Sequence, residues 1–228
     1  MVAKRIIAIA LILLMAGWFS GCCSPLPSDS HAVNLFPQHR DWWCWAATTE
    51  MVSDYYGHRV QQCDSANFIH GTPPNCCTGC IGNCPGWGGA WGATITDIQN
   101  NWTHWNFTYR HDSSALSWGD VKKTLSKQSH CRKSPIQAVW WWYDGMGMRT
   151  NGHVVTITGY SEIRLTTLNM DLVFYNNPAP MDCSLNALNQ CQQAATGGAA
   201  VLATYESFKQ SGNRKWEDSF YQFKHTGP

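Results

Sequence analysis

Apolar and polar positions follow two different periods along the chain, and the change between them sets the fold class. In the first half the apolar residues recur at helical spacing. From Cys44 to Tyr56, the residues Ala46, Ala47, Met51 and Tyr55 share one stripe, the interior holds neither proline nor glycine, and Gly57 supplies a stop. Gln62 to Ile69 reads as a second short helix and Thr94 to Gln99 as a helical turn. Ser117-Trp-Gly-Asp120 puts a carboxylate three residues after a hydroxyl, the capping-box pattern, and opens a helix reaching Lys127. Trp105 to Tyr109, aromatic and β-branched, is a short strand among these helices.

Past residue 135 the pattern changes to strands. Ile136 to Tyr143 is a continuous apolar run closed by the turn Asp144-Gly-Met-Gly, Val154 to Thr158 is another closed by Gly159, and Leu168 to Tyr175 ends at Asn176-Asn177-Pro178. These three segments are expected to form an antiparallel meander. The tail from Gly197 through Tyr221-Gln-Phe223 is expected to add an edge strand or two. The fold class is therefore α+β: a helical half followed by an antiparallel sheet, with a seam between them.

The N-terminus stands apart. Lys4-Arg5 precedes an apolar run from Ile6 to Gly17, too short for a membrane span of ~20 residues, and Phe19-Ser20-Gly21-Cys22 resembles a bacterial lipobox. Residues 1–21 are read as a lipoprotein-type signal peptide, with Cys22 as the lipidated residue and new N-terminus. An ordinary secretory signal is the alternative. Residues 22–33, with Ser24-Pro-Leu-Pro-Ser-Asp-Ser30, are read as a Pro/Ser tether, and 34–228 as one domain. The chain is expected to be exported and held at the cell envelope by its lipid.

Composition narrows the classes. Charged residues are 14% of the chain, against a usual ~25%, and the net charge is +1, which removes the electrostatic case for nucleic acid. Thirteen tryptophans are expected to fill a core and line a cleft. Eleven cysteines in an exported chain read as a disulfide framework. Setting aside Cys22 and a free Cys44 leaves nine, so one more is unpaired; Cys23, in the tether, is the expected leftover. Cys183 with Cys191 is the one pairing expected, across a short loop. Cys76, Cys77, Cys80 and Cys84, in a Gly/Pro-rich stretch from Gly71 to Gly92, are read as disulfide-forming rather than zinc-binding; no metal or other cofactor is expected.

The chemistry centres on Cys44. It heads a helix, where unpaired N–H groups and the positive end of the dipole favour thiolate over thiol. Gln38, six residues upstream, offers an amide donor for an oxyanion. Of nine histidines, His153 is the one that opens a strand, where a side chain can project into a cleft. A hairpin centred near residue 165 has a pairing sum of about 330, which sets His153 opposite Asn176 or Asn177. Either asparagine could accept the Nδ1–H and turn Nε2 towards the thiol.

Gln38 with Cys44-Trp-Ala-Ala, Gly152-His153-Val-Val-Thr-Ile-Thr-Gly159-Tyr160, and Val173-Phe-Tyr-Asn-Asn177-Pro178 together resemble the papain-like cysteine peptidases. The pattern is most similar to the bacterial C39-like and AvrRpt2-like branches, whose third catalytic residue directly precedes a proline. That resemblance maps the third role onto Asn177, with Asn176 as the alternative. Asp41 stands where plant and lysosomal papains carry a disulfide cysteine, their Asn-Ser-Trp-Gly segment is absent, and no pro-peptide is visible before Gln38. Gly88-Gly89 is a weak match to their specificity-pocket glycines.

The resemblance implies a monomeric hydrolase of protein or peptide substrates. Cys44 would be its nucleophile, His153 its base and acid, Asn177 its orienting residue and Gln38 its oxyanion donor. An acyl-transferase or amidase on the same residues, a catalytically inactive surface-binding module and a zinc-stabilised structural domain are the competing readings.

Overall fold

The computed structural model describes residues 23–39, 42–70, 92–179 and 198–227. Three helices come first: α1 (Cys44–Tyr55), α2 (Gln62–His70) and α3 (Ile95–His104). A short strand β1 (Ser28–Ser30) precedes them. β2 (Phe107–Asp112) and α4 (Trp118–Leu125) follow, then the hairpin-linked strands β3 (Ile136–Tyr143), β4 (Arg149–Leu165) and β5 (Leu168–Asn177). The chain ends with β6 (Ala199–Thr204), α5 (Tyr205–Lys209), β7 (Gln210–Ser211) and β8 (Arg214–His225). The expected α+β order is the observed one. Cys22, the Cys76–Cys84 cluster, Gly88-Gly89, Asp41, and Cys183 with Cys191 lie outside the described residues.

All strand pairings are antiparallel, in the path β2-β8-β3-β4-β5-β6, with β1 added to β4 and β7 to β8. The meander of β3, β4 and β5 forms as read. The tail forms as read only in part: β6 lies at the edge beside β5, but β8 enters between β2 and β3. β3 is buried on both faces, so its second ladder needs a partner, and β8, with Trp216, Phe220, Tyr221 and Phe223 buried, provides it.

The sheet's alternation divides the core in two. Ala138 and Trp140 of β3 face a cluster with Val155, Ile157, Val173, Tyr175, Phe208 and Trp216, closed by Val121 and Leu125 of α4. Val139 and Val154 face the helical half, where Trp45, Ala46 and Val52 of α1 meet Ile98 and Trp102 of α3. This explains why IQAVWWWY reads as an unbroken apolar run: both of its faces are covered. The two halves are also joined by a buried polar chain. Trp102 Nε1 donates to Gln137 Oε1 at 2.9 Å, Gln137 Nε2 donates to Thr48 Oγ1 at 2.8 Å, and Thr48 Oγ1 donates to the Cys44 carbonyl at 2.9 Å. Each bond contributes about 1 kcal/mol when made and exposes a penalty of about 1–3 kcal/mol when one partner is lost.

The described part of the segment read as a tether, from Cys23 to Val33, is bonded to the domain. Cys23 is disulfide-bonded to Cys131 and is not the leftover thiol. β1 pairs Ser30 with Gly159, and Tyr160 Oη donates to the Leu26 carbonyl at 2.9 Å. Gly159 makes that approach possible, since a Cβ there would lie 2.7 Å from the Ser30 Cβ and 2.9 Å from the Asp29 carbonyl. Polar composition concealed the β1 pairing because it uses backbone groups, which every residue type carries.

Candidate active site

α1 presents Cys44 as its first residue, 6% exposed, after a turn in which Trp42 adopts a left-handed φ of 68°. The preceding Trp43 makes no side-chain capping bond, and no acidic residue stands in the first turn. Neither the cap residue nor the first turn therefore offsets the positive end of the helix beside the sulfur. Cys44 is the free cysteine among the described residues; Cys63 is disulfide-bonded.

β4 brings His153 to this helix end. Burial is the largest influence on the Cys44 thiol and pushes its titration up. The charge and hydrogen bond of His153, with the backbone N–H groups of Val154 and Trp45, outweigh it, and the thiol titrates below its ordinary value. His153 moves the opposite way. Burial, again the largest influence, favours the neutral ring, but the Cys44 charge and hydrogen bond and the bond to Asn177 outweigh it despite opposition from Arg214. Displacements in these opposed directions favour the thiolate–imidazolium form of the pair over the neutral one.

Behind the ring, His153 Nε2 lies 2.8 Å from Asn177 Oδ1. The roles of the two ring nitrogens are thus reversed from those expected: Nε2 meets the asparagine and Nδ1 is left for the sulfur. The register also differs. β4 and β5 pair Thr156 with Asn176 and Leu165 with Leu168, with an irregularity between Ile157 and Gly159, so the pairing sum is 332 to 333. Continuing that register sets Asn177 across from Val155, and His153 reaches it diagonally along the same face. Asn176, one residue earlier, projects to the opposite face and donates through Nδ2 to the Val33 carbonyl at 3.0 Å. Side-chain alternation places Asn177 at the ring and Asn176 away from it.

Gln38 arrives along the N-terminal segment. His31 N–H donates to Thr158 at 2.7 Å, Asn176 holds Val33, and the Gln38 N–H donates to the Pro178 carbonyl at 2.9 Å. That last bond fixes Gln38 beside the end of β5, one residue past Asn177. Gln38 Oε1 is buried with no hydrogen-bond partner among the described residues.

Two residues not singled out in the sequence hold this loop. Gln62, fully buried, donates to the Pro37 carbonyl at 2.9 Å and accepts from the His39 N–H at 2.9 Å, gripping the backbone on either side of Gln38. Its Nε2 also donates to Glu50 Oε2 at 2.9 Å, and Glu50 is paired with Arg59 at 2.7 Å. The visible signal was Glu50 itself, a carboxylate inside a helix that is otherwise apolar or hydroxylic over its buried length. Trp140 and Trp142 flank the His153 ring with centroids at 6.0 and 6.3 Å. Among the described residues no cluster of His, Cys, Asp or Glu could hold a metal ion. The arrangement supports nucleophilic chemistry by a thiolate, with proton transfer through an oriented imidazole.

Compared with known families, residues 30–212 match the model of the Peptidase_C39 like family, a span that includes Gln38, Cys44, His153 and Asn177. No curated protein matches the chain.

Proposed function

The chain belongs to the Peptidase_C39 like family, and from that premise we propose that it is a papain-like cysteine peptidase acting through Cys44, His153, Asn177 and Gln38. A peptidase implies protein or peptide substrates. The observation that carries the reading is the geometry of His153, which meets the Cys44 thiol on one side and Asn177 Oδ1 at 2.8 Å on the other.

In this mechanism the Cys44 thiolate attacks the substrate carbonyl carbon, forming a C–S bond and a tetrahedral oxyanion. The Gln38 Nε2 and the first-turn N–H of Cys44 donate to that oxyanion; one such donor is worth about 2.7–4 kcal/mol in a related acyl transfer. His153 gives its Nδ1 proton to the leaving amine as the C–N bond breaks. Water then attacks the thioester, losing a proton to His153, and the acid product leaves with thiolate and imidazolium restored. Asn177 accepts the Nε2–H throughout and moves no proton. Export with lipidation at Cys22 belongs to the same proposal and is supported by the signal-like N-terminus; loss of the lipid-shifted mass in Cys22→Ser checks it.

Peptide hydrolysis and iodoacetamide labelling at mildly acidic pH, compared between the wild type and Cys44→Ala, test the catalytic reading. Both activities are expected in the wild type and neither at this residue in the variant, with thermal unfolding retained. Hydrolysis that continues unchanged in Cys44→Ala refutes the mechanism.

A further inference from the structure

Arg214, the first residue of β8, lies at the end of the sheet that carries His153. Its guanidinium carbon stands 3.9 Å over the Trp140 ring, and Trp140 is both the strand neighbour of His153 and in ring contact with it. Arg214 is itself opposite Trp142, the second ring beside His153. The half-buried guanidinium uses one donor, Nη2 to the Ser207 carbonyl at 3.0 Å. Nε is buried without a partner, and no carboxylate pairs with Arg214 among the described residues. By contrast, Arg59, Arg149 and Arg164 each have an acidic partner.

A half-buried, unpaired cation beside a catalytic imidazolium is unfavourable on two counts. Its charge has given up solvent without gaining an anion among the described residues, and it opposes protonation of His153. A substrate anion would correct both. The side on which it would bind follows from the chemistry. His153 protonates the leaving amine, so the leaving half of the substrate lies over its ring, and Arg214 is reached from that ring across Trp140.

Resting on the peptidase reading above, we infer that Arg214 and the Trp140 face form a subsite for a carboxylate on the leaving-group side of the scissile bond. The carboxylate is a C-terminal one or an acidic side chain. Arginine suits either, because a planar fork that also stacks on an aromatic ring can meet a carboxylate with two donors.

The test uses one peptide sequence in three forms: the leaving segment ending in glycine amide, in glycine free acid, or in aspartate amide. A charge-assisted contact predicts a kcat/KM about ten- to a hundredfold higher for a carboxylate form than for the neutral amide. The free acid being preferred identifies a C-terminal carboxylate, and the aspartate amide an acidic side chain. In Arg214→Met this preference, a ratio measured within one protein, is expected to fall towards one, while Arg214→Lys retains part of it.

No preference in the wild type overturns the subsite without touching the peptidase reading, and needs no variant. So does a preference that survives in Arg214→Met, which places the anion elsewhere. Absence of hydrolysis of all three peptides, with no labelling of Cys44, removes the peptidase reading and this subsite with it.

Discussion

Asn177 and Asn176 are chemically identical neighbours, and the pleat alone separates their work. Asn177 accepts from the His153 ring at 2.8 Å, and Asn176 donates to the Val33 carbonyl on the other face. The hydrogen bond from the ring to Asn177 is one of the influences that raise His153, so removing it lets the ring lose its proton at lower pH. The thiolate is present above the depressed Cys44 value and the imidazolium is lost above the raised His153 value, giving a rate plateau between the two. In Asn177→Ala the alkaline limb of kcat/KM is expected to move to lower pH, with a loss of roughly tenfold or more at the plateau, read from a pH–rate profile. Asn176→Ala is expected to leave the alkaline limb in place and lower stability by about 1–3 kcal/mol, the cost of one buried bond. Matching profiles for the two variants would contradict the division. Both asparagines were visible in the sequence as candidates. Choosing between them needed the register, and the irregularity between Ile157 and Gly159 shifts it by an amount no turn residue announces.

At the scale of elements, α1 and α2 do more than fill the helical half. α1 carries the thiol at its start and Glu50 two turns on, and α2 opens with Gln62, which grips Pro37 and His39. The loop bearing Gln38 is thereby referenced to the same helix as Cys44, which fixes the proposed oxyanion donor and the proposed nucleophile in one frame. Gln62→Ala is expected to reduce kcat by about ten- to a hundredfold, approaching the loss of an oxyanion donor. If Gln62 acts through Gln38, the same substitution made in Gln38→Ala should have little further effect, under about twofold, because the group it positions is already gone. Equal losses in the two backgrounds would assign Gln62 to general stability instead. The helices were readable from their periodicity. The clamp was not, because Gln62 lies twenty-four residues from Gln38 and its amide could equally have faced solvent.

For the whole molecule, the disulfide between Cys23 and Cys131 ties the N-terminal segment to the sheet half across a sequence separation of 108. A cross-link of that span removes about 4–5 kcal/mol of unfolded-chain entropy in the simplest account, and measured effects commonly reach about 2–4 kcal/mol. Cys131→Ser is expected to lower stability to denaturant within that range. Its effect on the iodoacetamide reactivity of Cys44 should be small, since neither cysteine of the bond is among the groups that tune the thiol. An unaltered unfolding midpoint would show the bond to be dispensable. The same bond changes what a lipid at Cys22 would mean: the next residue, Cys23, is cross-linked to the domain, so the domain would be held close to the membrane surface rather than on a loose tether.

By itself the sequence determined the α+β order, because hydrophobic period is a local property that a helix or strand imposes on its own residues. It also singled out Cys44 at a helix start, Gln38 six residues before it and the Asn176-Asn177 pair at a strand end. His153 was read as opening a strand, whereas it is the fifth residue of β4, because pairing with β3 extends that strand back to Arg149. Tertiary structure alone decided which asparagine meets the ring and which ring nitrogen it meets. It also decided that β8 enters the sheet beside β3, that Cys23 pairs with Cys131, and that Gln62, Glu50 and Arg214 surround the site. These outcomes depend on long-range pairing and on the direction of single side chains. Both are settled only when distant segments compete for the same buried surface and the same hydrogen-bond donors.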